Sequence, residues 1–584
     1  MRKIDLIEII EAKSPNYFNN MNPYIKSIII RFLERVVKLN EINKFLETHN
    51  QTDFDFIEDL FEYVDFNYFV SNKDRKKIPS QGRLICVSNH PLGALDGLVL
   101  LNVIGEVRKD VKIVANDMLL NLDNMKDLFL AYNVFTHSAQ KANIKNIDKA
   151  LEKDEAVIFF PAAEVSRFSQ SGIRDGKWHN GALRFSQKYN CSILPIHIKG
   201  RNSISFYLAS LFLRKFSTLM LPRQIFSKNQ RKITIQIGSS IPGSVFSQRF
   251  INYKEMNKLL KKHVYRLNSG KKGVFETEKN IIHPIDAKII KLELERCELL
   301  GHITGGKRLY LVEYENARNV IKEISRLREI TFRIVGEGTG NSKDFDSFDK
   351  HYKHIVLWND RELEIMGAYR LGLVHDILER FGYKGLYNSG QFIFSRNFEP
   401  ILNRSIELGR SFIQKKYWRS KALDYLWQGI GSYVKKNPEV DYLFGAVSIS
   451  GTYSKQAQEI IVYYYEKWYK EENAYAMPKN AFVISDSTRE ELDMTFTGIC
   501  HIEDLINLKA MLKNTGFSIP VLLRKYSELC EYGGAKFLGF GIDKSFSNSI
   551  DCMIYLDINK IKDSHSERYY SKRSIMEKNV VHQN

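Results

Sequence analysis

The chain has 584 residues, 44% of them hydrophobic and 26% charged, with a net charge of +18 and a pI near 9.3. Its length exceeds one ordinary core, so two or more domains are expected of this globular composition. The N-terminal MRKIDLIEIIEAKSPNYF lacks the apolar core of a signal peptide, no stretch is long and apolar enough to span a membrane, and the six cysteines form no CxxC pair, which argues against a disulfide framework or zinc site and fits a reducing cytoplasm.

In chain order, residues 1–80 read as helices, IDLIEIIEA and then YIKSIIIRFLERVVKLNEINKFL, from apolar residues three and four apart. From 81 to 267, RLICVSN, VKIVAND, AVIFFPA, SILPIHIKG and KITIQIGS are strand-like and alternate with helical segments, the pattern of an α/β layer domain. Residues 268–285, polar with glycines and a proline, read as a linker. A second α/β pattern fills 286–558: a helix AKIIKLELERCELLG, strands RLYLVEYE, HIVLWND, LEIMGAYRLG, QFIFSRNF and YLFGAVSIS, and helices over 320–330 and 405–434. The polar tail 559–584 reads as disordered. Residues 203–222, SISFYLASLFLRKFSTLMLP, suit either a buried helix or one lying in a membrane interface with Arg214 and Lys215 toward anionic headgroups.

Such a charge points to a polyanionic partner. No RNP-type motif, zinc finger or basic region with heptads accompanies it, so no nucleic acid is expected. An anionic membrane surface or an acidic protein is the better reading.

Chemistry in open α/β sheets gathers beyond the carboxyl ends of strands. His90 ends RLICVSN, and Asp96 lies six residues on, in NHPLGALDG. A histidine there, its second ring nitrogen held by a carboxylate, can serve as a base for a hydroxyl acceptor. Glu164 and Arg167 follow AVIFF in FPAAEVSR, and His197 lies in LPIHIKG. Arg167 reads alternatively as a solvated charge, His197 as a core histidine, and Trp178 and His179 as core packing or acyl-path residues.

The order NHPLGALDG, FPAAEVSR, LPIHIKG resembles the glycerolipid acyltransferase family of lysophospholipid acyltransferases, over about residues 70–245. The resemblance implies His90 as general base, Asp96 as its partner, and Glu164 and Arg167 as acceptor-binding residues. Two departures stand out: five residues rather than four separate His90 from Asp96, and the carboxylate of the second block is displaced to Glu164. Both put a phosphate-bearing acceptor in doubt and suit a lyso-aminolipid.

In the second domain, Arg328 lies on a helix, Asp346 and Asp349 in DFDSFD, Arg370 in GAYRLG, and Glu407 and Arg410 three apart in SIELGRSF, read as one face of a helix and often just a salt bridge. The glycines of GEGTGNS lack the Lys-Ser/Thr of a phosphate loop. This series resembles the GNAT superfamily, in the branch shared by acyl-homoserine-lactone synthases and ornithine-lipid N-acyltransferases, over about 300–557. It implies acyl transfer to an amino-acid amine, with Glu407 as base, Asp346 and Asp349 holding a cationic amino acid, and Arg370 and Arg410 organising them or meeting phosphopantetheine.

The two resemblances occur together in bifunctional ornithine-lipid synthases. They imply two α/β acyltransferase domains, the first with a helical N-terminal segment, the second GNAT-like. N-acylation of ornithine or glycine by a 3-hydroxyacyl group would precede O-acylation of that hydroxyl. The donor would be a thioester of acyl carrier protein or CoA, with no bound cofactor and no metal. Peripheral attachment to the inner face of a bacterial cytoplasmic membrane follows. Alternatives are a lysophosphatidic-acid acyltransferase with an accessory GNAT domain, and a non-catalytic membrane-binding protein.

Overall fold

The computed structural model describes residues 7, 21–115, 123–131, 137–169, 172–212, 220–226, 233–246, 252–544, 546 and 548–570. It divides into two compact units, Met1–Asn280 and Ile281–Asn584.

The first unit begins with α1 (Pro23–Val37), α2 (Leu39–Thr48) and α3 (Asp53–Tyr63). The helix expected over 24–46 breaks at Lys38, whose φ of 62° is left-handed and ends α1. The expected helix IDLIEIIEA, except for the helical Ile7, lies outside the described residues. Then come β1 (Tyr68–Val70), β2 (Leu84–Ser88), α4 (Ala94–Gly105), β3 (Val111–Ala115), β4 (Phe129–Ala131), α5 (His137–Glu152) and β5 (Ala156–Phe159). A small hairpin, β6 (Arg167–Ser169) and β7 (Gly172–Arg174), precedes α6 (Gly181–Tyr189), β8 (Ile193–Lys199), α7 (Ile204–Phe212), α8 (Leu221–Ile225), β9 (Ile233–Ile237) and α9 (Tyr253–Leu267).

Seven strands form one sheet in the order β1-β9-β8-β2-β5-β3-β4, parallel except at β8–β9. Strand β2 lies at its centre and is buried throughout. Cys86 joins the apolar cluster on one face of the sheet, and its neighbours Ile85 and Val87 join the cluster on the other. Burial on both faces is why its sequence is an unbroken apolar run.

The stretch expected as a linker is tied down at both ends. Phe275 stacks on the His263 ring and Glu278 N–H donates to Ser240 O, within the first unit. Ile282 N–H donates to Ser342 O, within the second.

The second unit comprises α10 (Ala287–Leu294), β10 (Glu298–Ile303), β11 (Lys307–Val312), α11 (Arg318–Val335), β12 (Lys353–Asn359), β13 (Glu364–Leu373), α12 (Val374–Phe381), β14 (Phe392–Phe394) and β15 (Ser405–Ile413). It continues with α13 (Ala422–Lys436), β16 (Tyr442–Ile449), α14 (Lys455–Tyr469), β17 (Ala476–Pro478), α15 (Asp486–Thr495), α16 (His501–Thr515), α17 (Val521–Leu529), β18 (Ala535–Asp543), β19 (Ser549–Asp557) and α18 (Asp563–Tyr570). Its eight-stranded sheet runs β10-β11-β12-β13-β15-β16-β19-β18, antiparallel but for the pair β15–β16.

Three expectations are corrected. The helix expected over 287–301 stops at Leu294, because ELLG pairs with β11. Residues 405–413, expected as helix, form β15 between β13 and β16. Burial in the middle of a sheet overrides the helix-like i, i+3 spacing of its charges. The tail expected to be disordered from 559 includes α18, whose Tyr569 is buried against Trp427 and donates to Asp424. Residues 571–584 lie outside the described residues, as do Arg214 and Lys215. Among the described residues, no helix is long and apolar enough to cross a membrane.

Candidate active sites

The first site is built on the exit from β2. Asn89 fastens the loop to β8: its Nδ2 donates to Ile198 O (2.9 Å) and its Oδ1 accepts from Ile198 N (2.7 Å). Asn202 Nδ2 donates to Pro91 O at 2.9 Å. His90 is held by its backbone, whose C=O accepts from Ser166 N–H (2.7 Å) and whose N–H donates to Asp175 Oδ1 (3.2 Å).

The chain then turns back through Gly93, with φ 86° and ψ −135°, a conformation that only glycine adopts without strain. The turn brings Asp96, in the first turn of α4, onto His90. Its Oδ2 lies 3.0 Å from His90 Nδ1 and also accepts Leu92 N–H (2.7 Å) and Gly93 N–H (3.1 Å). The extra residue between His90 and Asp96 is thus absorbed by a glycine turn that the aspartate itself caps.

Asp96 is fully buried, whereas the His90 side chain keeps 16% exposure and stacks on Phe160 at 4.2 Å. Burial pushes the Asp96 carboxyl up, opposed by the His90 ring and the two N–H donors. With Nδ1 turned to the carboxylate, Nε2 lies on the far side of the ring, where an imidazole can accept a proton. A Cβ at position 93 would lie 3.1 Å from the Leu221 methyls. Gly93→Ala is therefore expected to cost about 1–3 kcal/mol and to slow O-acyl transfer, read by thermal melting and product assay.

Ser166 and Phe160 bring the FPAAEVSR block beside His90. Glu164 lies there on an exposed turn, and Arg167, which starts β6, approaches its carboxylate at 3.8 Å and the Phe206 ring at 6.0 Å. His197 is buried in β8 against Tyr265, and burial lowers its pKa to about 4, so the ring is neutral. Trp178 is buried and donates to Asp175 Oδ2 at 2.9 Å. Asp175, which also accepts from Ser166 Oγ, was missed from sequence. In RDGKWH it looks like an ordinary turn aspartate, and nothing local reveals that it supports His90.

In the second unit the sequence-predicted charges form one buried network. Arg328 on α11 grips Asp349 with two bonds of 2.8 Å and meets Asp344 at 3.0 Å. Arg370 on β13 binds Asp346 (2.6 Å) and Asp349 (3.2 Å). Arg410 on β15 meets Asp344 (3.2 Å) and Asp346 (3.8 Å). Burial alone would raise the Asp349 carboxyl, but Arg328, then Arg370 and His354, hold it far below the usual carboxylate range. Three guanidiniums thus face three carboxylates. Asp344, the third, was not singled out from sequence.

Glu407 is 1% exposed, with both oxygens engaged. Oε1 accepts from Asn388 N (2.8 Å) and Nδ2 (2.7 Å); Oε2 accepts from Tyr387 N (3.2 Å) and the Tyr352 hydroxyl. Burial pushes its carboxyl up, and these donors oppose the shift. The glycines of GEGTGNS form no phosphate cradle, since Thr339 and Gly340 N–H donate to Glu329.

Residues three apart on a regular strand face opposite ways. Here an extra residue in β15, opposite Ala368–Arg370, makes a bulge, and Arg410 sits in it at φ 49°. Ile406, Leu408 and Ile413 therefore pack into one cluster and Phe412 into the cluster on α11. The bulge puts Glu407 and Arg410 on the same side.

The parallel ladder of β15 and β16 covers only Ser405–Glu407 and Tyr442–Phe444, although both strands continue. Beyond it a cavity of about 110 Å³ is lined by Leu408–Ser411 and Ala446–Ser448, with Tyr387, Asn388, Glu337, Asp543 and Asp551. The facing backbone edges there carry no ladder.

Comparison with known proteins finds an acyltransferase match in each unit. A family model described as "Acyltransferase" matches residues 11–272, and one described as "Acetyltransferase (GNAT) domain" matches 327–428. A glycine N(alpha)-acyltransferase of Bacteroides thetaiotaomicron is 32% identical over 302 residues, 50% of this chain and 89% of that protein. A lyso-glycine lipid O-acyltransferase of the same organism is 32% identical over 253 residues, 42% of this chain and 90% of that protein. An L-ornithine N(alpha)-acyltransferase of Rhizobium meliloti is 27% identical over 253 residues, 42% of this chain and 76% of that protein. The chain belongs to the acyltransferases, with an acyltransferase domain and a C-terminal GNAT domain in one polypeptide.

Proposed function

We propose that this chain makes a diacylated amino-acid lipid in two steps. The GNAT domain N-acylates a small amino acid, glycine before ornithine, with a 3-hydroxyacyl group. The first domain then esterifies the new hydroxyl with a second acyl chain. The observation that carries this reading is the presence in one chain of a His90–Asp96 pair at a parallel strand end and an unladdered cleft between parallel strands. The likeness to a glycine N-acyltransferase and to a lyso-glycine lipid O-acyltransferase supports it.

In the first domain, His90 Nε2 takes the hydroxyl proton as oxygen attacks the thioester, and Asp96 holds the ring and offsets the imidazolium charge. Glu164 and Arg167, on the same loop cluster, position the acceptor. In the GNAT domain, the open backbone edges of β15 and β16 suit the amides of an extended phosphopantetheine arm, from acyl carrier protein or CoA. The network of Arg328, Arg370 and Arg410 with Asp346 and Asp349 sets the cleft wall, and Glu407 positions Tyr387 and Asn388 in it.

Attachment to an anionic membrane surface is part of the proposal. Helix α1 exposes Tyr24, Ile25, Ile28 and Phe32, and α7 exposes Ile204 and Leu208. Val36 of α1, Val165 and Phe206 share one small cluster, so these faces lie beside the FPAAEVSR block. A lyso-lipid acceptor would reach His90 from that surface.

Expression in a host without aminolipids, with mass spectrometry of the lipid extract, tests the reading. The expected product is a phosphorus-free diacyl amino-acid lipid; altered phospholipids alone would overturn it.

A further inference from the structure

Glu407 has its four hydrogen bonds filled and does not line the cavity. Three other carboxylates do: Glu337, Asp543 and Asp551. None was singled out from sequence. Glu337 follows Gly336, the left-handed residue that ends α11, and its Oε2 accepts from Ser448 Oγ at 3.0 Å. Asp551 on β19 lies directly across the ladder from Ser448. Gly541 of β18 opposes Asp551 on its other side, and Asp543 is two residues along, on the same face.

The arrangement is unusual in what it leaves undone. Asp551 is only 6% exposed, yet its carboxylate makes no hydrogen bond or ion pair among the described residues. A buried carboxylate without a donor is costly. Arg410, the guanidinium lining the same cavity, spends its contacts on Asp344 and Asp346. A cavity lined by three carboxylates, one of them, Asp551, without a donor, at the edge where the acyl thioester is proposed to lie, calls for a cationic ligand with N–H donors.

We propose that Glu337 and Asp551 receive the acceptor's ammonium group and that Glu337 is the general base of N-acylation. The inference rests on the N-acyltransferase reading above and names its amine site. The bound ammonium gives one proton to the Glu337 carboxylate. The neutral amine attacks the thioester carbonyl, a C–N bond forms and the C–S bond breaks. The second nitrogen proton passes to the departing sulfur, giving amide and thiol, and Glu337 returns its proton to water.

The titration of the pair suits the role. Burial raises Glu337 to about 7, with Ser448 and Arg410 opposing. Burial, then Asp543, raises Asp551 to about 7, with Arg410 opposing and Glu337 adding to the rise. Facing them are Asp543 on β18, Arg410 on β15, Tyr369 on β13, Tyr387 before β14, Tyr453 before α14 and Tyr526 on α17. A base titrating near neutrality is well matched to accept an amine proton.

The test uses the full chain with a 3-hydroxyacyl thioester and glycine, following amide and thiol across pH 5 to 9. Wild type is expected to gain kcat/KM with rising pH through an inflexion near 7. Glu337→Gln is expected to lose the inflexion and about 10²–10⁴-fold in kcat. Asp551→Asn is expected to raise the KM for glycine and move the inflexion to lower pH, since a like-charged neighbour is gone. Glu407→Gln, which loosens Tyr387 and Asn388, lowers the rate but leaves the inflexion in place. Hydroxylamine, uncharged at neutral pH, needs no base, so enzyme-dependent transfer to it should survive in Glu337→Gln and report a folded domain.

If Glu337→Gln keeps the wild-type pH profile, or if Glu407→Gln alone abolishes the inflexion, the proposal falls. Loss of the hydroxylamine reaction together with the glycine reaction in Glu337→Gln would also overturn it. If wild type acylates no amino acid, it is the N-acyltransferase reading that fails.

Discussion

Replacing His90 by alanine is expected to leave a cell extract with the monoacyl amide and almost no diacyl product. General-base help of this kind contributes about 10²–10⁴-fold, and a hydroxyl near neutral pH has no comparable route to the thioester. The alanine removes the stacked ring over Phe160 but leaves Asp96 capped by Leu92 and Gly93, so the loop keeps its shape. Asp96→Asn should lie between wild type and His90→Ala, because the amide can hold the ring but not offset its charge. The check is lipid mass spectrometry of both variants beside wild type, with purified protein turning over the monoacyl amide. A His90→Ala enzyme with the wild-type O-acylation rate would remove the ring from the chemistry.

The largest effect on stability is expected at Arg328. Its side chain is 1% exposed and satisfies Asp349 through two bonds and Asp344 through a third contact. Arg328→Ala leaves those carboxylates short of a cation in a dry interior, a loss of about 3–5 kcal/mol for a broken buried pair. Such a loss is a large part of the stability of an ordinary domain, about 5–15 kcal/mol. The sign of the pH dependence follows from the same contacts. A carboxyl held below its ordinary value stabilises the fold above the unfolded pKa of about 4. That contribution fades only as pH falls toward the depressed folded value, so wild type should resist mild acid. Chemical denaturation at pH 7 and pH 4 is the measurement. An Arg328→Ala protein as stable as wild type at pH 7 would mean that the network carries no net stability.

Much of this was legible in the residues, for identifiable reasons. Strands buried on both faces, such as β2, β5, β8 and β13, are apolar runs that stand out from their flanks. Three-residue strands such as β1, β4, β6 and β7 offer no period to detect. His90 and Asp96 were visible because one short turn holds both. Asp175 and Asp344 were not, because the residues they support at each site, His90 and Arg410, lie far off in the chain. Glu337 and Asp551 come from segments 214 residues apart that only the sheet registers together. Glu407 and Arg410 were seen as a pair, but on the wrong element, since an i, i+3 spacing reads as a helical face. The strand meets that spacing with its bulge.

The bulge at Arg410 bears on how such a cleft could arise. Remove one residue, Gly409, and β15 alternates regularly again, with Ile406, Leu408 and Ile413 still on one side and Glu407, Arg410 and Phe412 on the other. Both core layers would keep their side chains, while the strand would lose the kink that accompanies its parting from β16. A regular strand and the bulged one therefore stand a single codon apart, reachable by one in-frame insertion that leaves the hydrophobic layers unedited.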